Sequence, residues 1–314
     1  MENKKVNLKI YRFNPEKNEK PYYETYVVPL YKGMTLLDAL FYIKENIDSS
    51  LSFRAYCRAA ICGSCSILVN GHPKLACKTQ VKIMLELFET DTLKLDPLPS
   101  YKVIKDLVVD YDKSITKLVK VKPYLIPDPN VVPLGEDRET IIYPEEHKKY
   151  DPYTDCILCG ACFAMCPVKD LDENYAGPLQ FARLARFTED KRDALKEERP
   201  KLAFTLDVWN CLRCERCTDV CPKSVPITQG IATLKSRTVN QFENYIGVKH
   251  AKAICEDVKK HGYLNENTLI LRTKGVKGVI ESLPLAIKLL TKGKVMSFFP
   301  HKIENLKEIK DLIK

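Results

Sequence analysis

Twelve of the 13 cysteines in this 314-residue chain fall into three short runs, and no other feature restricts its fold as tightly. The first run is Cys57, Cys62 and Cys65, completed by Cys77. The second is Cys156, Cys159, Cys162 and Cys166, with Pro167 behind it. The third repeats the second as Cys211, Cys214, Cys217 and Cys221, followed by Pro222. Only Cys255 stands apart. The first residues, Met1-Glu2-Asn3-Lys4, carry charge without an apolar stretch, so no signal peptide is expected. No apolar run approaches the roughly 20 residues that span a bilayer. The expected compartment is the cytoplasm, where thiols stay reduced and clustered cysteines imply metal rather than disulfides.

Spacing then selects the metal group. Cys57-x4-Cys62-x2-Cys65 with a distant Cys77 has the plant-type 2Fe–2S pattern. Such a loop wraps an anionic cluster closely with backbone N–H groups, which favours the small residues Ala59, Ala60, Gly63 and Ser64, and Arg58 adds a positive charge. The alternative, structural zinc, prefers paired Cys-x2-4-Cys knuckles. Cys156-x2-Cys159-x2-Cys162-x3-Cys166-Pro167 is the bacterial ferredoxin run, in which the fourth cysteine serves the other cluster. Present twice, the run predicts an exchange. Cys156, Cys159 and Cys162 share one 4Fe–4S cluster with Cys221, and Cys211, Cys214 and Cys217 share another with Cys166.

The rest of the chain arranges itself around these runs. Val6, Leu8 and Ile10 alternate with polar residues as in a half-buried strand, and a second strand is expected over 22–30. Thr35 with Asp38 reads as a capping box opening a helix through Leu36, Leu37, Leu40, Phe41 and Ile43. Strands are expected at Ser66–Val69, at 75–77 after an Asn70-Gly71 turn, and at 92–95. Val103, Ile104, Leu107 and Val108 suit a helix, after which Pro123, Pro127, Pro129, Pro133 and Pro144 predict an extended connection. Helices are expected after Gly177-Pro178 and over 227–234 behind Pro226. Two more are expected along Val248, Ala251, Ile254, Cys255 and Val258 and over 278–290. The expected fold class is α+β, in four parts. Residues 1–100 form a 2Fe–2S domain, 101–150 a helix and Pro-rich linker, 151–240 a helical 2×(4Fe–4S) dicluster domain, and 241–314 a helical basic extension.

Other chemistries find little support. His72, His147, His250, His261 and His301 are scattered outside the cysteine runs. There is no G-x-G-x-x-G loop, P-loop or G-x-S-x-G elbow. No catalytic residue is therefore expected in this chain. Trp209 is expected to pack against the cluster domain, and Cys255 to be a small buried hydrophobe. The +9 formal charge lacks the interleaved aromatics of a nucleic-acid groove, so no nucleic-acid partner is expected. The tail lysines Lys274, Lys277, Lys288, Lys292, Lys294, Lys302 and Lys307 form either a solvated face or a docking surface.

Over roughly residues 5–240 the chain resembles the iron–sulfur subunit of succinate dehydrogenases and fumarate reductases. The resemblance rests on the stretch from Cys57 to Cys65, on Asn70-Gly71, Leu75-Ala76-Cys77, Pro97-Leu98 and the stretch from Asp106 to Asp110. It continues through Cys156 to Cys162, Gly177-Pro178, Arg186-Phe187, Arg192-Asp193 and Val220-Cys221-Pro222-Lys223. It implies a β-grasp ferredoxin domain followed by a dicluster domain. It further implies a flavoprotein partner with covalent FAD that oxidises succinate or reduces fumarate, and electron relay from it toward quinone.

Four positions depart from the family pattern. Cys214 stands where most members lack a cysteine and hold a 3Fe–4S cluster. Val168-Lys169-Asp170-Leu171 and Leu212 stand where a tryptophan and a histidine accompany the usual quinone site, and Ala60 replaces the usual glycine. The tail, through Asn265-Glu266, Arg272-Thr273-Lys274-Gly275, Leu283-Pro284-Leu285 and Lys292-Gly293-Lys294, is similar to heterodisulfide-reductase C-type subunits. The combination is similar to atypical complexes whose third subunit is a cysteine-rich (CCG-motif) protein rather than a heme-bearing membrane anchor. A thiol-linked fumarate reductase, a heterodisulfide-type reductase and a free-standing ferredoxin-like carrier are the alternatives.

Overall fold

The computed structural model describes residues 5–17, 20–131, 139–264, 266–294, 303 and 306–308. The expectations placed on Met1 to Lys4, Pro133, Asn265, His301 and Lys302 lie outside them. The chain divides into two units, Met1–Ser236 and Arg237–Lys314.

Alternation along Val6, Leu8 and Ile10 builds β1 (Lys5–Arg12), with its even residues buried. It pairs antiparallel with β2 (Tyr22–Pro29). Helix α1 (Leu36–Asn46) starts at the expected capping box. Thr35 Oγ1 accepts from the Asp38 N–H at 3.2 Å, and the Asp38 carboxylate accepts from the Thr35 N–H at 2.9 Å. Next come β3 (Ser66–Val69), β4 (His72–Leu75), an unanticipated α2 (Val81–Leu87) and β5 (Thr92–Asp96). Strand β5 lies parallel to β1 and antiparallel to β3, giving a mixed sheet in the order β2-β1-β5-β3-β4. Leu36, Leu40 and Ile43 of α1 are buried in one core with Leu8, Ile10, Leu93 and Leu95 of that sheet.

Two expectations in this half are corrected. The strand returning from Asn70-Gly71 begins at His72, not at 75. Asn70 and Gly71, at φ 48° and 82°, form a two-residue turn that pairs Val69 with His72 at once. The helix expected around Val103 to Val108 is a hairpin, β6 (Lys102–Lys105) with β7 (Val108–Asp110), and the helix follows as α3 (Asp112–Lys120). Asp106, at φ 46°, turns this hairpin and is 1% exposed. Its carboxylate accepts from Phe13 N–H at 3.0 Å, Ser52 N–H at 2.8 Å and the Arg12 guanidinium at 3.1 Å. Arg12 is itself buried and also pairs with Glu24 at 3.0 Å and with Asp48. A tertiary acceptor role thus overrides the local helical pattern.

Pro144, expected only to interrupt, is the first residue of α4 (Pro144–Thr154), where a missing N–H costs nothing. Then follow α5 (Ala161–Ala164), α6 (Val168–Leu171), α7 (Pro178–Thr188), α8 (Glu198–Thr205), α9 (Arg216–Asp219) and α10 (Ile227–Thr238). The extended connection is pinned on this helical half by a buried pair. Arg199, 1% exposed, meets Asp193 at 2.7 Å and donates to the carbonyls of Val121, Lys122 and Tyr124. Asp193 in turn accepts from the Ile126 N–H at 3.1 Å.

The second unit holds α11 (Ile246–His261), ended by Gly262 at φ 87°, and α12 (Glu266–Leu290), kinked at Gly275. The helix expected over 278–290 is thus the C-terminal part of a longer, bent one. Arg272 of α12 pairs with Asp257 and Glu256 of α11. Cys255 is exposed, against the expectation of burial. The face of α11 covered by its neighbour carries Ala253 and Asp257, and Cys255 lies about 200° round the helix from Asp257. No helix among the described residues is long and apolar enough to cross a membrane.

Candidate iron–sulfur centres

The loop from Cys57 to Cys65 curls because successive residues adopt left-handed backbone. Arg58, Ala60 and Gly63 have φ of 55°, 56° and 71°. This turns several N–H groups inward. Cys57 Sγ accepts from Cys62 N–H at 3.2 Å, Ile61 N–H at 3.3 Å and Ala59 N–H at 3.4 Å, and Cys77 Sγ accepts from Ala60 N–H at 3.3 Å. The amides of Ala59, Cys62 and Ile61 hold the Cys57 thiol down at about 6, whereas burial pushes Cys65 up to about 12. Ala60 carries a left-handed cost that glycine would avoid, about 1–2 kcal/mol. The Arg58 guanidinium lies 4.6 Å from the Phe41 ring centroid, which holds its charge at the loop.

The two later runs share a local geometry. The second residue after each leading cysteine, Leu158 and Arg213, has φ of 56° and 54°, and Gly160 and Glu215 occupy matching positions at 79° and 62°. Each run then enters a one-turn helix, α5 or α9, before its final Cys-Pro. The fourth cysteines are exchanged in space. Cys156, Cys159, Cys162 and Cys221 line one cavity, and Cys211, Cys214, Cys217 and Cys166 line another. The first run's loop closes on the second. A Cβ on Gly63 would lie 2.8 Å from Cys159 Cβ and 2.9 Å from the Ile157 carbonyl oxygen.

All twelve expected cysteines therefore lie in three groups, and the groups follow one another through Gly63–Cys159 and through the exchanged Cys166 and Cys221. Cys255 joins none of the three. No described histidine lines either dicluster cavity. Trp209 packs half-buried against the helical core, with Lys235 Nζ 5.3 Å from its ring centroid.

The donor sets fit iron–sulfur clusters. Sulfurs surround each cavity, backbone amides point at sulfur, and Arg183 Nε beside Cys156 is buried without a partner. Bound clusters supply one-electron redox chemistry. The chain contributes thiolates, amide donors and exclusion of water.

Sequence reasoning missed the buried and half-buried tyrosines around these centres. Tyr101 and Tyr111, 4.9 Å apart between centroids, stand where the β6–β7 hairpin meets Gly160. Tyr175, 1% exposed, lies at the second cavity. Lone aromatics between prolines and charges carry no periodic signal.

Comparison with known proteins agrees with this arrangement. Residues 7–116 match the 2Fe-2S iron-sulfur cluster binding domain family, and residues 152–225 match the 4Fe-4S dicluster domain family. The fumarate reductase iron-sulfur subunit of Escherichia coli O6:H1 is 39% identical over 250 residues, covering 75% of this chain and 99% of the relative. The 8-methylmenaquinol:fumarate reductase iron-sulfur subunit of Wolinella succinogenes is 36% identical over 310 residues, covering 96% of this chain and 95% of the relative. Among solved structures, a chain of the Mycobacterium smegmatis Sdh1 complex in the apo form superposes with a TM-score of 0.66 at 26% identity, over 76% of this chain and 97% of that one. With cluster-binding domains of both kinds, the chain belongs to the family of electron-transferring iron–sulfur subunits of fumarate reductases and succinate dehydrogenases.

Proposed function

We propose that the chain relays electrons through three clusters in a row, between a covalent-FAD flavoprotein subunit and a quinone-linked or cysteine-rich (CCG) subunit. The 2Fe–2S ligands are Cys57, Cys62, Cys65 and Cys77. The first 4Fe–4S cluster is held by Cys156, Cys159, Cys162 and Cys221, and the second by Cys211, Cys214, Cys217 and Cys166. The observation that carries this reading is the contiguity of the three thiol groups. Gly63 rests against Cys159, and each dicluster cavity borrows one cysteine from the opposite run.

The two ends of the row suit different partners. Tyr56 and Ile61 flank Cys57 at 85% and 65% exposure, an apolar rim suited to the flavoprotein. In the tail, Val276, Ile280, Leu283, Ile287 and Leu290 form one exposed apolar stripe of α12, with Lys277 and Lys288 on another face. We assign this stripe to the third subunit, which holds the assembly peripherally at the cytoplasmic membrane face. The E. coli relative aligns with 75% of the chain, whereas the Wolinella relative, whose name carries 8-methylmenaquinol, aligns with 96%. That extent favours a quinol-linked over a thiol-linked complex.

Purification of the native complex tests the reading. Succinate oxidation or fumarate reduction is expected, with EPR signals of one 2Fe–2S and two 4Fe–4S clusters. A complex with neither activity overturns the assignment. A 3Fe–4S signal that persists under strict anaerobiosis removes Cys214 from the ligands.

A further inference from the structure

The two dicluster cavities are alike in size but differ in their linings. Around the first stand Leu179, Ala182, Val225 and Ile227, and no side-chain hydroxyl lines it. The second is lined by two hydroxyl-bearing residues, Tyr175 and Thr228. Both are buried, at 1% and 6% exposure.

One of these hydroxyls reaches a cysteine. Thr228 Oγ1 lies 3.7 Å from Cys217 Sγ. Thr218 Oγ1 accepts from the Thr228 N–H at 3.0 Å and lies 2.9 Å from Thr228 Oγ1. With Thr218 as the donor in that second contact, the Thr228 proton is available to sulfur. Tyr175 is wedged edge-on against Phe181, 5.3 Å between centroids, and adds a second buried side chain to this lining.

We propose that Thr228 is a positioning residue that donates a hydrogen bond to the Cys217 sulfur of the second 4Fe–4S cluster and raises its reduction potential. This rests on the ligand assignment proposed above. Reduction adds negative charge to the cluster, and a donor aimed at sulfur stabilises that charge. The first cavity has Lys223 in its lining and Arg183 beside Cys156, but no hydroxyl among its donors. The hydroxyl's effect is therefore confined to one of two clusters built from the same motif.

The test is a redox titration of the purified complex, followed by EPR, for Thr228→Val and Thr228→Ser. Thr228→Val is expected to lower the reduced-to-oxidised ratio of the second cluster about tenfold at fixed potential, a shift of about 59 mV for one electron. The first cluster's potential stays unchanged, and Thr228→Ser keeps the wild-type value. Unchanged potentials, or equal shifts in both clusters, overturn the proposal. If Thr228→Val fails to assemble, Thr228→Ala decides it with the same expected shift. A wild-type complex without the second 4Fe–4S signal shows instead that the ligand set proposed above is wrong.

Discussion

The 2Fe–2S loop and the dicluster half build their sites in opposite ways. In the first, four cysteines lie within residues 57–77, on one loop and the hairpin that follows it. The cradle is local, made by three left-handed residues that turn amides onto sulfur. In the second, each cavity takes three cysteines from one run and one from the other, 45 to 65 residues away in sequence. Neither cavity exists until α5 and α9 have packed together. A local site tolerates errors elsewhere in the fold, whereas an exchanged pair makes two sites depend on one packing event.

The largest expected effect breaks that comparison directly. Cys166→Ser removes the second 4Fe–4S signal although Cys166 belongs to the first dicluster run, and Cys221→Ser removes the first. EPR of the two variants checks the exchange, and loss of the signal from the mutated residue's own run refutes it. Next are the buried ion pairs that frame each half. Arg199→Met strands Asp193 and frees the connection at Val121 to Tyr124, and Arg12→Met strands Asp106. Each should cost about 3–5 kcal/mol in urea unfolding. The first should disturb the 4Fe–4S signals more than the 2Fe–2S signal, and the second the reverse.

Smaller effects sharpen the contrast at the junction and in the sheet. Gly63→Ala places a methyl group against Cys159 in left-handed backbone, for about 1–3 kcal/mol. It should also weaken the magnetic coupling between the 2Fe–2S and first 4Fe–4S clusters. Thr35→Ala, which removes one half of the capping box, should cost about 1 kcal/mol with all clusters intact. Acid separates the halves further. Burial works against the Asp48 carboxylate, yet Ser50, Arg12 and Tyr26 outweigh it and hold Asp48 well below the usual range. Its contribution is present above its unfolded pKa of about 3.9 and is lost as pH falls below that value toward the depressed one. Asp48→Asn should lack that part of the acid transition, as followed by circular dichroism.

Much of the fold was legible because its signals are local. Alternation marked β1, the capping box marked α1, and Asn70-Gly71 marked the hairpin. The misreadings share a physical cause. Val103 to Val108 has a helical pattern, but Asp106 is claimed by Arg12, Phe13 and Ser52 and turns a hairpin instead. Cys255 sits on an apolar stripe of sequence, but the covering helix lies on another face of α11.

The cysteine spacings alone pointed to the kinds of cluster-binding domain, because ligand reach is a matter of a few residues. Only the tertiary structure decided what surrounds them. Tyr175 and Thr228 lie 53 residues apart in sequence and converge on one cavity, while its twin of the same motif receives no hydroxyl. A repeated motif specifies which atoms bind. The polarity of the cavity around it depends on which distant helices close over it, and that is set by packing.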